Sequence, residues 1–280
     1  MTIGKKLSEQ KVALSVLSYG PPGTGKTTGA LTLADRGRVL LIDAEGGAKA
    51  SALKTRGIKV SNVDVWPDSP DQLSFDAIED VYLQVAASKE YAGVVIDSMT
   101  ELARRLLEGV VGAAIAKAER LGKARDRWQT DLADYGIASQ QMRLILRRFR
   151  DLNIHLVLTA LERRDIDDDG KVSYGPAMGP SVAVDTMGLV DVVCYHSVED
   201  IGDQTFYLGT TVPHNRRKAK DRLGALPARM VDPGAARMLE YVEGKLTKDK
   251  DPLQEAARKA ATGEGPAAIA EEIELEQVAG

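Results

Sequence analysis

The fold is decided by residues 20–27, which have the sequence Gly20-Pro21-Pro22-Gly23-Thr24-Gly25-Lys26-Thr27. This stretch matches the phosphate-binding pattern G-x-x-x-x-G-K-[ST]. The apolar, β-rich segment Val12–Tyr19 precedes it, and residues Lys26–Asp35 are able to form a helix. Because strand, glycine loop and helix are the context in which this pattern binds phosphate, the stretch predicts a nucleoside triphosphate site.

The residue types in the loop explain how phosphate would be held. Glycines let successive backbone N–H groups face one concavity, and a helix N-terminus adds partial positive charge. Lys26 would reach the β- and γ-phosphates of ATP, and Thr27 would hold Mg²⁺ through its hydroxyl. The residues predicted to bind ATP are Gly20, Pro21, Pro22, Gly23, Thr24, Gly25, Lys26, Thr27, Thr28 and Asp97, of which Thr27 and Asp97 would also bind the metal.

The composition limits the classes of partner that the protein can bind. The chain has 280 residues, a formal net charge of −4 and a single cysteine. No global positive field attracts nucleic acid, so any such binding must come from local patches. No apolar run approaches the ~18 residues that span a membrane, and the N-terminus has no apolar signal core. We therefore expect a cytoplasmic protein with no membrane partner.

The alternation of apolar strands with helices predicts an α/β fold. Its central sheet would be mostly parallel and flanked by helices. Residues 190–198 and 205–211 predict an antiparallel strand extension near the C-terminal part. We expect an ATPase core over residues 1–244 and a helical or disordered acidic tail over 245–280, where the composition shifts to Ala, Glu and Lys.

Two helix boundaries are predicted from local signals. Ser69 precedes Pro70 and Gln72, a capping pattern that predicts a helix from there to about Ser88. A second helix is predicted from Asp126 to Arg150.

Two acidic positions at strand ends complete the predicted site. Ligands of parallel sheets bind at the carboxyl ends of the strands. Asp97 ends an apolar strand and is expected to support Mg²⁺. Many P-loop ATPases carry a glutamate directly after this aspartate, but here that residue is Ser98. Glu45, at the end of another strand, is the predicted base that orients and deprotonates the attacking water.

These strand ends resemble a known family. Asp43-Ala-Glu45 and Val94-Val-Ile-Asp97-Ser98-Met-Thr-Glu-Leu102 are similar to the RecA-type recombinase core, in which the glutamate after the second strand is the catalytic base. The resemblance covers about residues 12–230. It is greatest to short RecA-like ATPases of bacteriophages, associated with single-strand annealing and labelled phage nucleotide-binding protein or AAA family ATPase.

The resemblance implies a RecA-type P-loop NTPase fold and an activity. The protein would hydrolyse ATP under stimulation by DNA, bind single-stranded DNA and promote annealing or strand exchange in phage recombination. Expected partners are single-stranded DNA, a single-strand-binding protein and further copies of the chain, as a ring or a DNA-induced oligomer. A helicase-like or helicase-loading ATPase and a nucleotide-binding regulatory module with little turnover are the alternatives.

The resemblance also implies a role for a basic segment of the chain. Residues 216–222 hold five basic side chains in seven positions. In RecA-like proteins a Lys-x-Lys pair in a comparable place reaches the γ-phosphate bound by the neighbouring subunit. Lys220 and Arg222 are the positions that best match this role, with Lys218 next. A nucleic-acid patch or a merely solvated face are the other interpretations of this segment.

Two DNA-binding loops are implied in the same way, one near Lys123–Gly136 and one over about Glu162–Pro180. Trp128 or Tyr174 would stack on bases. The cations expected to pair with DNA phosphates are Lys123, Arg125, Arg127, Arg163, Arg164 and Lys171.

The chain departs from the family at two points. The residue that senses the γ-phosphate is usually a glutamine, which Thr159 or Glu162 would replace here. About ten residues precede the first predicted strand, and we therefore expect no room for the N-terminal elements that link RecA subunits into filaments.

Overall fold

In the computed structural model, the described residues are 13–166, 169–201 and 204–262. The strands are β1 Ser15–Gly20, β2 Arg38–Asp43, β3 Val63–Trp66, β4 Tyr91–Asp97, β5 His155–Ile166, β6 Val172–Pro176, β7 Val192–Ile201, β8 Gln204–Thr210, β9 Lys220–Asp221 and β10 Arg229–Val231. The helices are α1 Lys26–Leu31, α2 Ala50–Thr55, α3 Phe75–Ser88, α4 Met99–Arg120, α5 Leu132–Arg150, α6 Pro180–Leu189, α7 Ala235–Val242 and α8 Pro252–Thr262. In these described ranges, no helix has both the length and the apolar character needed to cross a membrane.

The strands join in one mixed sheet with the order β10-β8-β7-β1-β5-β4-β2-β3. The central part of the sheet is parallel and consists of β7, β1, β5, β4, β2 and β3. Strands β8 and β10 extend the sheet in antiparallel fashion beyond β7, and β6 folds back on β5. The predicted fold class is confirmed, including the antiparallel extension near the C-terminal part.

Apolar side chains cover both faces of the sheet because successive residues of a strand point to opposite sides. On β2, Leu40 and Ile42 face the layer that contains α3, α4, α5 and α6. Val39 and Leu41 face the opposite layer, which contains α1 and α7. Burial on both faces holds the central strands rigid, so their carboxyl ends form a stable edge on which a site can be built.

Both predicted helix starts are wrong, and side-chain capping explains where the two helices begin instead. Pro70–Gln72 is only a short 3-10 turn, and α3 begins at Phe75 because Ser74 Oγ accepts the N–H of Ala77 at 3.2 Å. Helix α5 begins at Leu132 rather than at Asp126. There the carboxylate of Asp134 accepts the N–H of Asp131 at 2.9 Å, an interaction that a pattern of apolar residues does not reveal.

The described part of the C-terminal segment is attached to the core. Asp251 is buried, caps α8 by accepting the N–H of Leu253 at 3.0 Å, and also accepts from the side chains of Arg237 and Tyr241 on α7. Gln254 of α8 donates to the carbonyl of Arg229 on β10 at 3.0 Å. The predicted tail beyond residue 262 lies outside the described residues.

The attachment of α8 can be tested by removing its buried carboxylate. Asp251→Ala leaves the charge of Arg237 without its partner, so we expect a loss of about 3 kcal/mol in the free energy of unfolding. Urea titration followed by circular dichroism measures this change. The exposed Asp249→Ala is the control, with an expected effect of under about 0.5 kcal/mol. Equal effects of the two substitutions would show that α8 contributes nothing to the core.

Candidate active site

The glycine loop leaves β1 at the carboxyl edge of the sheet, between β5 and β7. Glycine is required at its first position because a Cβ on Gly20 would lie 2.3 Å from the carbonyl oxygen of His196. Gly25 caps α1 with a φ of 78°, a conformation that residues with a side chain rarely adopt. A side chain would therefore clash at Gly20 and be strained at Gly25.

Lys26 folds back over this loop. Its ammonium donates to the carbonyl of Gly20 at 3.1 Å and to that of Pro21 at 2.6 Å. Burial lowers the pKa of Lys26, while the carboxylates of Asp97, Glu45 and Glu162 act in the opposite direction. The ammonium thus lies among acceptors that a bound phosphate would replace.

Asp97 is held between two threonines. Thr27 Oγ1 donates to one carboxylate oxygen at 2.7 Å, and Thr159 Oγ1 donates to the other. Burial raises the pKa of Asp97, and these two hydrogen bonds act against that rise. Thr159 therefore orients the carboxylate rather than reaching the loop itself.

A hydroxyl and a carboxylate placed side by side fit Mg²⁺. In the described residues no three His, Cys, Asp or Glu side chains form a metal cluster. Mg²⁺ usually takes one or two protein oxygens and completes its coordination with phosphate oxygens and water. Thr27 and Asp97 would hold the ion.

Glu45 lies at the same edge and contacts the residue that follows Asp97. Ser98 Oγ donates to the Glu45 carboxylate at 2.5 Å and accepts the N–H of Glu101 at 3.3 Å. Asp43 accepts from the backbone N–H of Ala48 at 2.9 Å and so shapes the turn that carries Glu45. Ser98, at the position where other ATPases carry the glutamate, here orients a glutamate from the neighbouring strand.

A cavity of about 330 Å³ beside the loop brings together residues that sequence reasoning missed. The ring of Tyr207 forms one wall and lies against Gly25. Arg56 donates to Thr28 Oγ1 at 2.9 Å on another side, and Asp232 also lines the cavity. Its size and aromatic wall fit a nucleobase. Tyr207 and Asp232 are far from the loop in sequence, so only the fold reveals their proximity.

Lys220 and Arg222 do not lie at the glycine loop of their own chain. Lys220 Nζ donates to the carbonyl of Met187 at 2.5 Å, and Arg222 donates to that of Gly188 at 2.6 Å. Lys220 pairs with Val193 near the amino end of β7, whereas the loop lies at the opposite edge of the sheet. Both cations hold the C-terminal end of α6.

The first predicted DNA segment is partly helical. Residues 121–131 link α4 to α5, and residues 132–136 already belong to α5. Arg125 is half-buried and pairs with Asp131 at 3.2 Å and with Asp134, so its charge is used inside the protein. The side chains of Lys123 and Arg127 are exposed. Trp128 is 86% exposed, which is unusual for so large an apolar ring.

The second predicted DNA segment is a β-hairpin of β5 and β6. Arg163 is bound to Asp165 at 2.7 Å and to the carbonyl of Met178 at 2.9 Å. Arg164 and Lys171 have exposed side chains on the same hairpin. Tyr174 of β6 contacts the guanidinium of Arg217 at 5.1 Å from the ring centre.

His196 is a buried group next to the loop that the sequence did not single out. The residue is 1% exposed, and neither ring nitrogen has a hydrogen-bond partner within the described residues. Burial lowers the pKa of His196 to about 4, and the charge of Lys26 acts in the same direction. The ring is therefore neutral at neutral pH.

Comparison with known proteins finds one family. The model of AAA_24, described as an AAA domain, matches residues 13–223. The RadB recombinase is similar in structure, with 17% identity and a TM-score of 0.44 over 73% of this chain and 81% of that one. The KaiC-like protein PH0186 of Pyrococcus horikoshii OT3 is also similar, with 13% identity and a TM-score of 0.45 over 79% and 87%. No curated protein matches the chain.

The burial of His196 predicts how stability depends on pH. An unfolded histidine binds a proton below about pH 6.5, whereas the folded ring stays neutral down to about pH 4, so stability should fall as the pH drops between these values. Urea titrations at pH 7.5 and 5.5 should differ by about 1 kcal/mol more for the wild type than for His196→Gln. An identical pH dependence of the two proteins would contradict the neutral buried state.

Proposed function

The chain belongs to the AAA_24 family of AAA domains, and we propose that it is a RecA-like ATPase that binds single-stranded DNA and promotes annealing or strand exchange. The observation that carries the ATPase part is the contact of Thr27 with Asp97 at 2.7 Å beside Lys26. It supports a magnesium site formed by these two residues beside the phosphate-binding loop. The proposal includes action in the cytoplasm, within phage recombination.

Each functional residue at the carboxyl edge of the sheet then has a chemical role. When ATP binds, Lys26 would give up its hydrogen bonds to the loop carbonyls and bind the β- and γ-phosphates instead. Bound Mg²⁺ would neutralise phosphate charge and would be held by Thr27 and Asp97. Glu45, oriented by Ser98, would accept the proton of the attacking water.

The cavity beside the loop supports nucleotide binding. With phosphates on the loop, the base would stack on Tyr207, and Thr28, Arg56 and Asp232 offer polar groups to its edges. These residues join the set Gly20–Thr28 in the proposed ATP site.

Lys220 and Arg222 belong to the proposal only as groups that act across an interface. They lie away from their own loop, and the side chain of Arg222 is about half-exposed (52%). A ring or DNA-induced oligomer would be needed to bring them to a neighbour's nucleotide. Assembly would then control hydrolysis.

Exposed cations and aromatic rings support the DNA part of the proposal. Lys123 and Arg127 precede Trp128 in the α4–α5 linker, and Arg164 lies on the β5–β6 hairpin. Cations pair with backbone phosphates, and an aromatic ring stacks on a base of any sequence. A single-strand-binding protein is the further partner proposed, since it would share the same substrate.

The catalytic role of Glu45 predicts a specific kinetic result. Glu45→Gln removes the base but not the phosphate or metal ligands, so kcat for ATP should fall at least about 100-fold while ATP affinity stays within about threefold. Phosphate release, measured with and without single-stranded DNA, tests both claims, because DNA should raise the wild-type rate.

The control is Glu119→Gln, which changes an exposed glutamate of α4 and should leave the rate unchanged. The proposal would be refuted if DNA did not change the wild-type rate of phosphate release and Glu45→Gln did not lower kcat. Strand separation that depends on hydrolysis would favour a helicase, and nucleotide binding without turnover would favour a regulatory module.

The exposure of Trp128 predicts a stacking contact with DNA. In a Trp66→Phe background, Trp128 is the only tryptophan, and its fluorescence should be quenched when single-stranded DNA binds. Trp128→Ala should weaken DNA binding about tenfold, the effect of one lost base stack. Leu132→Ala is the control, since this neighbour is 91% exposed but not aromatic. Equal losses in both variants would contradict stacking.

A further inference from the structure

A second cavity, of about 850 Å³, lies on the β7 side of the glycine loop. Its walls include Pro21, Pro22, Gly23 and Thr24 of the loop. Arg217 and Tyr195 of the same chain line the opposite side. An arginine therefore shares a cavity with the phosphate-binding loop without any contribution from a neighbouring subunit.

The backbone around Arg217 is held firmly. His214–Arg217 forms a tight turn in which Asn215 and Arg216 have positive φ values of 46° and 64°. The N–H of Arg217 donates to the carbonyl of His214 at 2.8 Å. The turn is fixed to β6, where Tyr174 donates to the carbonyl of Arg216 at 2.9 Å. On its other side, Tyr19 Oη donates to the carbonyl of Lys218 at 2.6 Å.

The guanidinium of Arg217 lies between two aromatic rings. Its central carbon is 4.6 Å from the ring centre of Tyr195 and 5.1 Å from that of Tyr174. These rings fix its plane, as cation–π contacts do. An arginine held in one orientation loses little entropy when it binds an anion.

Part of the hydrogen-bonding capacity of Arg217 is unused. Its Nε is buried with no hydrogen-bond partner, and Nη1 makes only a long 3.5 Å bond to the carbonyl of Asn215. Within the described residues no carboxylate forms an ion pair with Arg217. A buried donor without an acceptor is costly, and a phosphate is the acceptor that matches the guanidinium fork.

The other cations of the segment differ in this respect. Lys220 and Arg222 are bound to carbonyls at the end of α6, and Lys218 lies 4.0 Å from the carboxylate of Asp165. Arg216 is exposed. Arg217 alone among these five side chains lines a cavity together with residues of the glycine loop.

Glu162 supplies a negative charge in the same region. It follows Leu161, the residue level with Gly20 in the sheet, and its Oε2 is buried with no hydrogen-bond partner in the described residues. Its charge acts on both Lys26 and Tyr195. Arg217 lines this side of the loop, Lys26 folds back over the loop, and Glu162 supplies a negative charge that acts on Lys26.

We propose that Arg217 binds the terminal phosphate of ATP from within the same chain, and that it lets the site distinguish ATP from ADP. This inference rests on the proposed function, because it requires the glycine loop to bind ATP. Arg217 would act on the nucleotide of its own chain, in addition to Lys220 and Arg222, which are expected to act on the nucleotide of a neighbouring chain. Glu162 opposes Arg217 by repelling the same phosphate.

The test compares the affinities for ADP and for the non-hydrolysable analogue AMP-PNP by isothermal titration calorimetry with Mg²⁺. Arg217→Ala should weaken AMP-PNP binding about 10-fold or more, since a charge-assisted bond to phosphate is lost, and should leave ADP binding within twofold. Unchanged ADP affinity also shows that the site is still folded. Arg217→Lys should retain part of the preference as a point charge, and Glu162→Gln should strengthen AMP-PNP binding.

Arg216→Ala is the matched control, because it removes an adjacent exposed charge and should change neither affinity. Equal weakening of both nucleotides by Arg217→Ala would assign Arg217 a structural role and overturn the inference. So would an unchanged preference for AMP-PNP combined with a loss of single-stranded DNA binding, which would place a DNA phosphate on Arg217. A wild type that binds neither nucleotide would instead overturn the proposed function, and this inference with it.

A mixing experiment tests the claim that Arg217 acts within its own chain. A Lys26→Ala chain keeps Arg217 but lacks the main phosphate ligand. If Arg217 acts in cis, adding this chain should not restore AMP-PNP affinity to Arg217→Ala. Restoration would show that Arg217 reaches a neighbour's nucleotide and would overturn the inference.

Discussion

The site depends on one shared carboxylate. Asp97 ends β4, and its two oxygens accept hydrogen bonds from Thr27 on α1 and Thr159 on β5. Three elements that are distant in sequence are thereby tied together at the carboxyl edge of the sheet. The tie is polar and buried, so losing one threonine would leave a buried carboxylate oxygen without its hydrogen bond. The backbone supports it, since Ala44 donates to the carbonyl of Asp97 at 2.7 Å and aligns the end of β2.

Charged side chains in this protein divide into two groups. Many are paired within the chain and shape it, such as Arg125 with Asp134 at the start of α5 and Arg237 with Asp251 at the start of α8. Others near the glycine loop lack such partners. Lys26 is held by carbonyls rather than by a carboxylate, and Arg217 lies between aromatic rings. Charge is thus left available where an anionic ligand is expected and is neutralised elsewhere.

The carboxyl edge was predictable because its residues follow local patterns. The glycine loop, Asp97 and Glu45 each stand at the end of an apolar strand, and the rules of parallel sheets bring such ends together. Helix starts were less predictable. Ser69 and Asp126 have the composition of caps, yet Ser74 and Asp131 precede the first helical turns. Both shifts arise from side chain to backbone hydrogen bonds that compete over a few residues.

The sequence by itself determined the α/β architecture, the glycine loop and its acidic partners, because periodicity and short motifs are local properties. Only the tertiary structure decided which cation of the basic segment shares a cavity with that loop. In sequence Arg217, Lys220 and Arg222 belong to one basic run. In the fold, Arg217 lies in a turn docked on β6 and lines a cavity together with loop residues, whereas Lys220 and Arg222 lie beside the amino end of β7. That separation depends on long-range strand pairing, which no local pattern encodes.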